Sequence, residues 1–249
     1  MFMSWQTFQQ HAQALGVPLS STQLDVYHRY THLLLAANRH VNLTALRDEL
    51  SLIAKFHLDA LNLLPIIARH ADTTVEALLQ QEWQAADVGT GGGAPALPLT
   101  IAWPHLRYTL IESITKKARF LAETIADLEL NAEVINARAE DVAKDPQHRQ
   151  RYDLVTARAV AALPTLVELT LPLARTGGLI VLPKGPKAQE EVEAAARAIT
   201  LLGGELTGVE RVVVPGVEET RMAVIIRKIA PTPAAYPRRA GVPERKPLR

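Results

Sequence analysis

The sequence predicts an α/β protein: a mostly parallel sheet flanked by helices, closed by a terminal antiparallel strand and preceded by a helical extension. Three observations carry this. From about Gln84 onward, short apolar runs alternate with amphipathic stretches of helical period, the pattern of a parallel sheet covered on both faces. Before about residue 80 the apolar residues recur only at helical spacing. Between the first strand and the helix after it lies a glycine-rich turn, where open parallel sheets bind their ligands. The chain divides accordingly into a helical extension (1–80), a sheet domain (81–230) and a basic, proline-rich tail (231–249).

In the extension, Trp5, Phe8, Ala12 and Leu15 mark a first helix, which Gly16-Val17-Pro18 ends. Ser20 or Ser21 caps a second, with Leu24, Tyr27, Leu34 and Leu35 on its apolar side. A third runs from about Asp48 through Ile53, Phe56 and Leu58 toward Leu64, and is expected to stop near Pro65. Strands follow at 84–88, 106–111, 133–136, 152–157 and 178–182, with two more near 205–214 and 222–228. Helical patterns at 95–102, 115–129, 163–174 and 186–202 separate them. No helix divides the last two strands, so that pair is expected to be antiparallel. The tail, with prolines at 231, 233, 237 and 243, is expected to be irregular.

At 249 residues and 48% hydrophobic, the chain is long enough for one α/β domain and an accessory segment. Every apolar run of membrane-spanning length is broken by a charge or a breaker, so no membrane span is expected. The opening MFMSWQTFQQHAQ does not read as a secretory leader. With no cysteine the chain has no disulfide, thiolate metal site or cysteine nucleophile, and its composition suits a reducing cytoplasm. No spacing of histidines and carboxylates suggests a metal. The net charge is only +1, but residues 231–249 carry Arg238, Arg239, Arg245, Lys246 and Arg249 against Glu244, a local +4. A basic tail on a near-neutral body suits a polyanion, and equally a solvated terminus.

The strongest chemical signal is Asp87-Val88-Gly89-Thr90-Gly91-Gly92-Gly93. Gly89, Gly91 and Gly93 let the backbone turn sharply and let a ligand lie against it. The second strand ends in Glu112, 23 residues beyond Gly89, where a carboxylate can accept both ribose hydroxyls of an adenosine. The loop separates the candidate cofactors. Its G-x-G-x-G spacing is not the G-x-G-x-x-G of a pyrophosphate site, and Asp87 would repel a pyrophosphate while suiting an ammonium and a sulfonium. S-adenosyl-L-methionine therefore fits better than NAD. Ala139-Glu140-Asp141, after the third strand, stands where an adenine would lie, though acids at a helix start need no further reason.

The fourth strand ends in Thr156-Ala157-Arg158-Ala159-Val160, without the N-P-P-Y type of element used to methylate exocyclic amines. Methylation of a pyrimidine carbon would need the missing cysteine. A substrate atom that is already nucleophilic remains, and guanine N7 is one.

These pieces together resemble the glucose-inhibited division protein B family, the small-subunit rRNA guanine-N7 methyltransferases. The resemblance rests on Asn42-Leu43-Thr44-Ala45, His57-Leu58-Asp59, Asp87 to Gly93, Arg158-Ala159, Lys184-Gly185 and the ending Tyr236 to Pro243 with Lys246-Pro247-Leu248. It departs at Ala96, where a glycine is common, and at Ala60, where a serine is. It implies a class I, Rossmann-like methyltransferase fold acting on N7 of a guanosine in 16S rRNA near the decoding centre, with 16S rRNA or the small ribosomal subunit as partner. It also implies cofactor contacts at Gly89, Ala94, Glu112, Ala139, Glu140 and Arg158; Asp87, Gly91, Gly93 and Ser113 complete the expected set. Asn42, Arg158 and Lys184 are the candidates for positioning the substrate. Asn42, Leu43 and Thr44 either cap and start a helix or, beside His57 and Asp59, form one wall of its pocket, and a lone histidine on a helix is more often structural than catalytic. Lys184, Arg221, Arg238, Arg239, Arg245 and Lys246 are the candidates for RNA contact, whereas Lys116, Lys117 and Arg119 read as a solvated helix face. Two other readings compete: a non-catalytic RNA- or ribosome-binding module on the same fold, and an NAD-linked dehydrogenase.

Overall fold

A computed structural model describes residues 3–248. Helices α1 (Trp5–Ala14) and α2 (Ser21–Val41) each begin with a reciprocal cap, Ser4 with Thr7 and Ser20 with Gln23, which satisfies backbone donors the first turn would otherwise leave open. The third helical pattern is a chain of short pieces: α3 (Glu49–Leu52), a π-helical stretch (Ile53–Leu58), α4 (Asp59–Leu61) and α5 (Leu63–His70). It continues five residues past Pro65, where a stop was expected. The turn at Asn62 restarts the helix, so Pro65 falls in the first turn of α5, where its missing N–H breaks no bond. By length and composition Glu49–His70 could cross a membrane, but 72% of its most apolar window is buried inside the fold, as in a core helix. The short α6 (Val75–Leu78) leads into the sheet.

The sheet has seven strands: β1 (Trp83–Val88), β2 (Leu106–Ile111), β3 (Ala132–Ile135), β4 (Tyr152–Ala157), β5 (Ala174–Lys184), β6 (Gly204–Val212) and β7 (Arg221–Lys228). Their order is β3-β2-β1-β4-β5-β7-β6, parallel except for β7, which runs antiparallel to both its neighbours. Between the strands lie α7 (Ala96–Ala102), α8 (Thr115–Asp127), α9 (Ala139–Val142), α10 (Leu163–Thr170) and α11 (Ala188–Leu201). α10 ends four residues short of the expected limit because Pro172 offers no N–H to continue it, and β5 correspondingly starts early.

Two apolar clusters fill the two faces. The first joins the extension to one face of the sheet, bringing Phe8, Tyr27, Leu34 and Leu61 together with Leu97, Trp103 and Tyr108. The second lies under α10 and α11 and draws Tyr236 and Leu248 of the tail against it. The tail is irregular apart from a single turn, α12 (Val242–Arg245), started by Gly241 at φ 77°. It runs along the domain instead of leaving it; Arg249, one of its expected charges, lies outside the described residues.

Candidate active site

Strand register lines up the parts of the site. Val88, at the end of β1, pairs with Ile111 of β2 and with Ala157 of β4. The next residue on each strand is therefore Gly89, Glu112 or Arg158, and all three leave the sheet along one edge. Strand order reverses between β1 and β4, so this edge opens into the crevice where doubly wound sheets bind ligands.

Asp87 is fully buried beneath the glycine loop. Its Oδ1 accepts from the Thr156 hydroxyl at 2.6 Å, while Oδ2 has no hydrogen-bond partner among the described residues. Burial pushes its carboxyl up to about 7, with Thr156, Thr90 and Arg158 opposing and Glu112 adding to the rise. Glu112 braces the loop from the other side: Oε2 accepts from the Gly91 N–H at 3.0 Å and Oε1 from the Ile114 N–H at 2.8 Å. Each of its oxygens keeps a second lone pair for a ligand. Gly89 and Gly91 have φ of 68° and 59°, which favours glycine, and a Cβ on Gly89 would come within 2.6 Å of Val160. Gly93 serves packing: a Cβ there would collide with the hydroxyl of Tyr30, which donates to the Gly92 carbonyl at 2.7 Å.

Two clefts meet at Gly89. One, about 200 Å³, runs past Ser113 and Ala139-Glu140 to Val160, Thr165, Pro243 and Glu244. The other, about 340 Å³, is lined by Leu43 to Leu46, Gly89 to Gly92, Ala94 and four cations, Lys55, Lys117, Arg158 and Arg221. The surroundings fit S-adenosylmethionine: a buried carboxylate oxygen awaiting a cation, carboxylate lone pairs at the end of β2, and backbone laid open by glycine.

Arg158 is anchored on the extension, with Nη1 3.0 Å from the Asp59 carboxylate and Nη2 donating to the Lys55 carbonyl at 2.8 Å. That carbonyl belongs to the π-helical stretch. Arg221 lies at 4.0 Å from the other Asp59 oxygen, and its buried Nε has no hydrogen-bond partner among the described residues. Lys184 reaches inward, donating to Glu191 at 2.7 Å and to the Ala161 carbonyl at 2.9 Å. Arg238 grips the fully buried Glu168 with both side chain and backbone N–H. Of the tail cations expected on RNA, Arg239, Arg245 and Lys246 are exposed.

Asn42 is exposed and ends α2 in the left-handed conformation at φ 52°, so it closes one helix instead of opening the next. The loop after it is shaped by Asn38, whose side chain bonds the backbone of Leu43, Thr44 and Leu46. His57 is in the core, accepting from or donating to Thr31 at 2.8 Å, and burial lowers its pKa to about 3. The sequence reading overlooked Thr156, Asn38, Lys55 and Glu168 and took Lys117 for solvated surface. For Glu168 a signal existed, since an acid in the apolar helix LPTLVELT needs a partner. The others are common residue types whose roles depend on what the fold brings beside them.

The sheet order, the glycine loop at the point of reversal and the carboxylate beside it define a class I methyltransferase, an enzyme taking its methyl group from S-adenosylmethionine. A model of the rRNA small subunit methyltransferase G family matches residues 23–220. The ribosomal RNA small subunit methyltransferase G of Roseiflexus castenholzii is 46% identical over 95% of this chain and 97% of its own, and that of Deinococcus radiodurans 42% over 95% and 90%. A crystal structure of a candidate O-methyltransferase from Klebsiella pneumoniae shares the fold at a TM-score of 0.57 and 14% identity, covering 90% of this chain and 97% of that one. The chain belongs to the rRNA small subunit methyltransferase G family.

Proposed function

We propose that the protein methylates N7 of a guanosine in 16S rRNA near the decoding centre, in the cytoplasm, using S-adenosylmethionine. The observation that carries the reading is the junction at Gly89. There a cleft suited to an adenosine joins a cleft lined by four cations, two residues along the chain from Asp87, a buried carboxylate with an unpaired oxygen. Family membership supports small-subunit rRNA as the substrate. When bound, S-adenosylmethionine supplies a methyl group on a sulfonium, which guanine N7 accepts with its lone pair and without first losing a proton.

No general base is then required, and the residues act by placing and by electrostatics. Asp87, with its buried and unpaired oxygen beneath the loop, would hold the cationic methionyl end of the cofactor. Glu112 holds the ribose, Ser113 and Ala139-Glu140 flank the adenine, and Gly89, Gly91 and Ala94 let the ligand approach. Arg158, fixed by Asp59, lines the second cleft and, with Arg221, Lys55 and Lys117, faces an RNA backbone. Arg239, Arg245 and Lys246 are placed to add phosphate contacts from the tail. The extension and the tail serve as attachments that complete the central domain.

Borohydride reduction and aniline cleavage of 16S rRNA, incubated with the protein and labelled S-adenosylmethionine, test the reading. A single new cleavage site at a guanosine is expected. Methyl incorporation without an aniline-sensitive site would overturn N7 as the target.

A further inference from the structure

We propose that the tail segment Arg238–Arg245 is the adenosine-side wall of the cofactor cleft, and that the S-adenosyl ligand and this segment hold each other in place. The inference rests on the reading that this cleft takes S-adenosylmethionine. Basic charge alone suggested an arm reaching for RNA; the contacts give the segment a second task.

Four fastenings bring it there. Arg149 donates to the carbonyls of Thr232 and Tyr236 at 2.9 and 2.8 Å, fixing the chain's approach. Glu168, fully buried in α10, accepts from the Arg238 backbone N–H at 2.8 Å and from its guanidinium. Glu140 of α9, which lines the cleft, then accepts from the Gly241 N–H at 2.8 Å. The Thr165 hydroxyl donates to the Pro243 carbonyl at 3.1 Å, which seats the buried Pro243 ring. Pro243 and Glu244 thereby line the cleft together with Ser113, Ala139 and Val160.

The chemistry suits one end of the ligand. The Pro243 ring with the alanine and valine side chains offers flat apolar contact to a heteroaromatic base, and the charged residues lining the cleft are Arg138, Glu140 and Glu244. Glu140 links the two sides, since it lines the cleft while its carboxylate holds Gly241. Ligand contact with Pro243 stabilises the docked segment, and by reciprocity the docked segment tightens the ligand.

Deleting the tail would strip Glu168 of its partner and could prevent folding, so a narrower change is used. Pro243→Gly removes the ring and leaves the Arg238–Glu168 pair intact. On the full chain, calorimetry with S-adenosylhomocysteine is expected to show affinity about tenfold weaker for Pro243→Gly, as loss of one buried apolar ring implies. Amide exchange at Gly241 in the wild type is expected to slow about tenfold when S-adenosylhomocysteine is added. If the wild type binds and either Pro243→Gly binds equally well or Gly241 exchange is unchanged, the wall is overturned while the cofactor assignment stands. If the wild type itself fails to bind, both fall together.

Discussion

The helical extension before β1 and the tail after β7 both build walls of the active site, by different physics. The extension does so through bulk burial, with Phe8, Tyr27, Leu34 and Leu61 entering one apolar cluster with the sheet. The tail packs Tyr236 and Leu248 against the second cluster and is fastened besides by directed contacts: Arg149 on carbonyls, Arg238 on Glu168, Gly241 on Glu140. Burial tolerates changes that keep volume. Directed contacts fail whenever one partner is lost, because what remains is a buried polar group without company.

The largest test of this contrast is Arg238→Ala. It leaves the Glu168 carboxylate buried and unpaired, and a loss of roughly 3–5 kcal/mol in urea unfolding is expected. Glu168→Gln, which removes the charge as well, should cost clearly less. On the extension side, Gly93→Ala should cost about 1–3 kcal/mol by forcing a methyl against the Tyr30 hydroxyl at a backbone φ of 111°. Adding Tyr30→Phe should recover part of that cost, and full additivity in the double-mutant cycle would show that the collision is not the cause.

The extension and the strand beneath the glycine loop also differ in their response to acid. His57 has its pKa lowered by burial, so its contribution is complete above its unfolded value near 6.5 and is lost as pH falls toward about 3. Wild-type stability should accordingly fall by roughly 2 kcal/mol between pH 7 and pH 5 from this residue alone. His57→Gln should flatten that slope, and an unchanged slope would place the acid sensitivity elsewhere.

Asp87 has the opposite sign. With its carboxyl raised to about 7, ligand-free stability is greatest below the unfolded value near 4 and declines as pH rises through 7. Affinity for S-adenosylmethionine should instead increase over that range as the ionised form becomes available. Asp87→Asn is expected to lower affinity about tenfold at pH 8 and abolish its pH dependence, while melting no earlier than wild type. A variant that keeps the pH dependence would relieve Asp87 of this role.

The extent to which the sequence disclosed these features follows the same contrast. Alternating apolar runs located all seven strands, because a buried parallel sheet needs contiguous apolar segments. Ser20 disclosed the start of α2, since capping is local chemistry. The Asp87–Gly93 loop was legible because its glycines and acid are adjacent in the chain. Pro65 misled because its effect depends on where a helix restarts, which the turn at Asn62 decides. Arg238 read as a surface cation because its partner lies 70 residues away in an apolar helix. Likewise, Lys184 and Gly93 carry their roles through Glu191 and Tyr30, which only the fold brings near.

The Arg238–Glu168 fastening has a consequence in time. All seven strands are encoded before Ala230, whereas Arg238, Gly241 and Pro243 are translated after them. A chain that folds as it leaves the ribosome can thus complete its sheet and glycine loop while the adenosine cleft still lacks a side. Until Arg238 emerges, Glu168 belongs to α10 without its counter-ion, and water must serve it. The ligand pocket of this protein therefore depends on the segment synthesised after every strand of its framework.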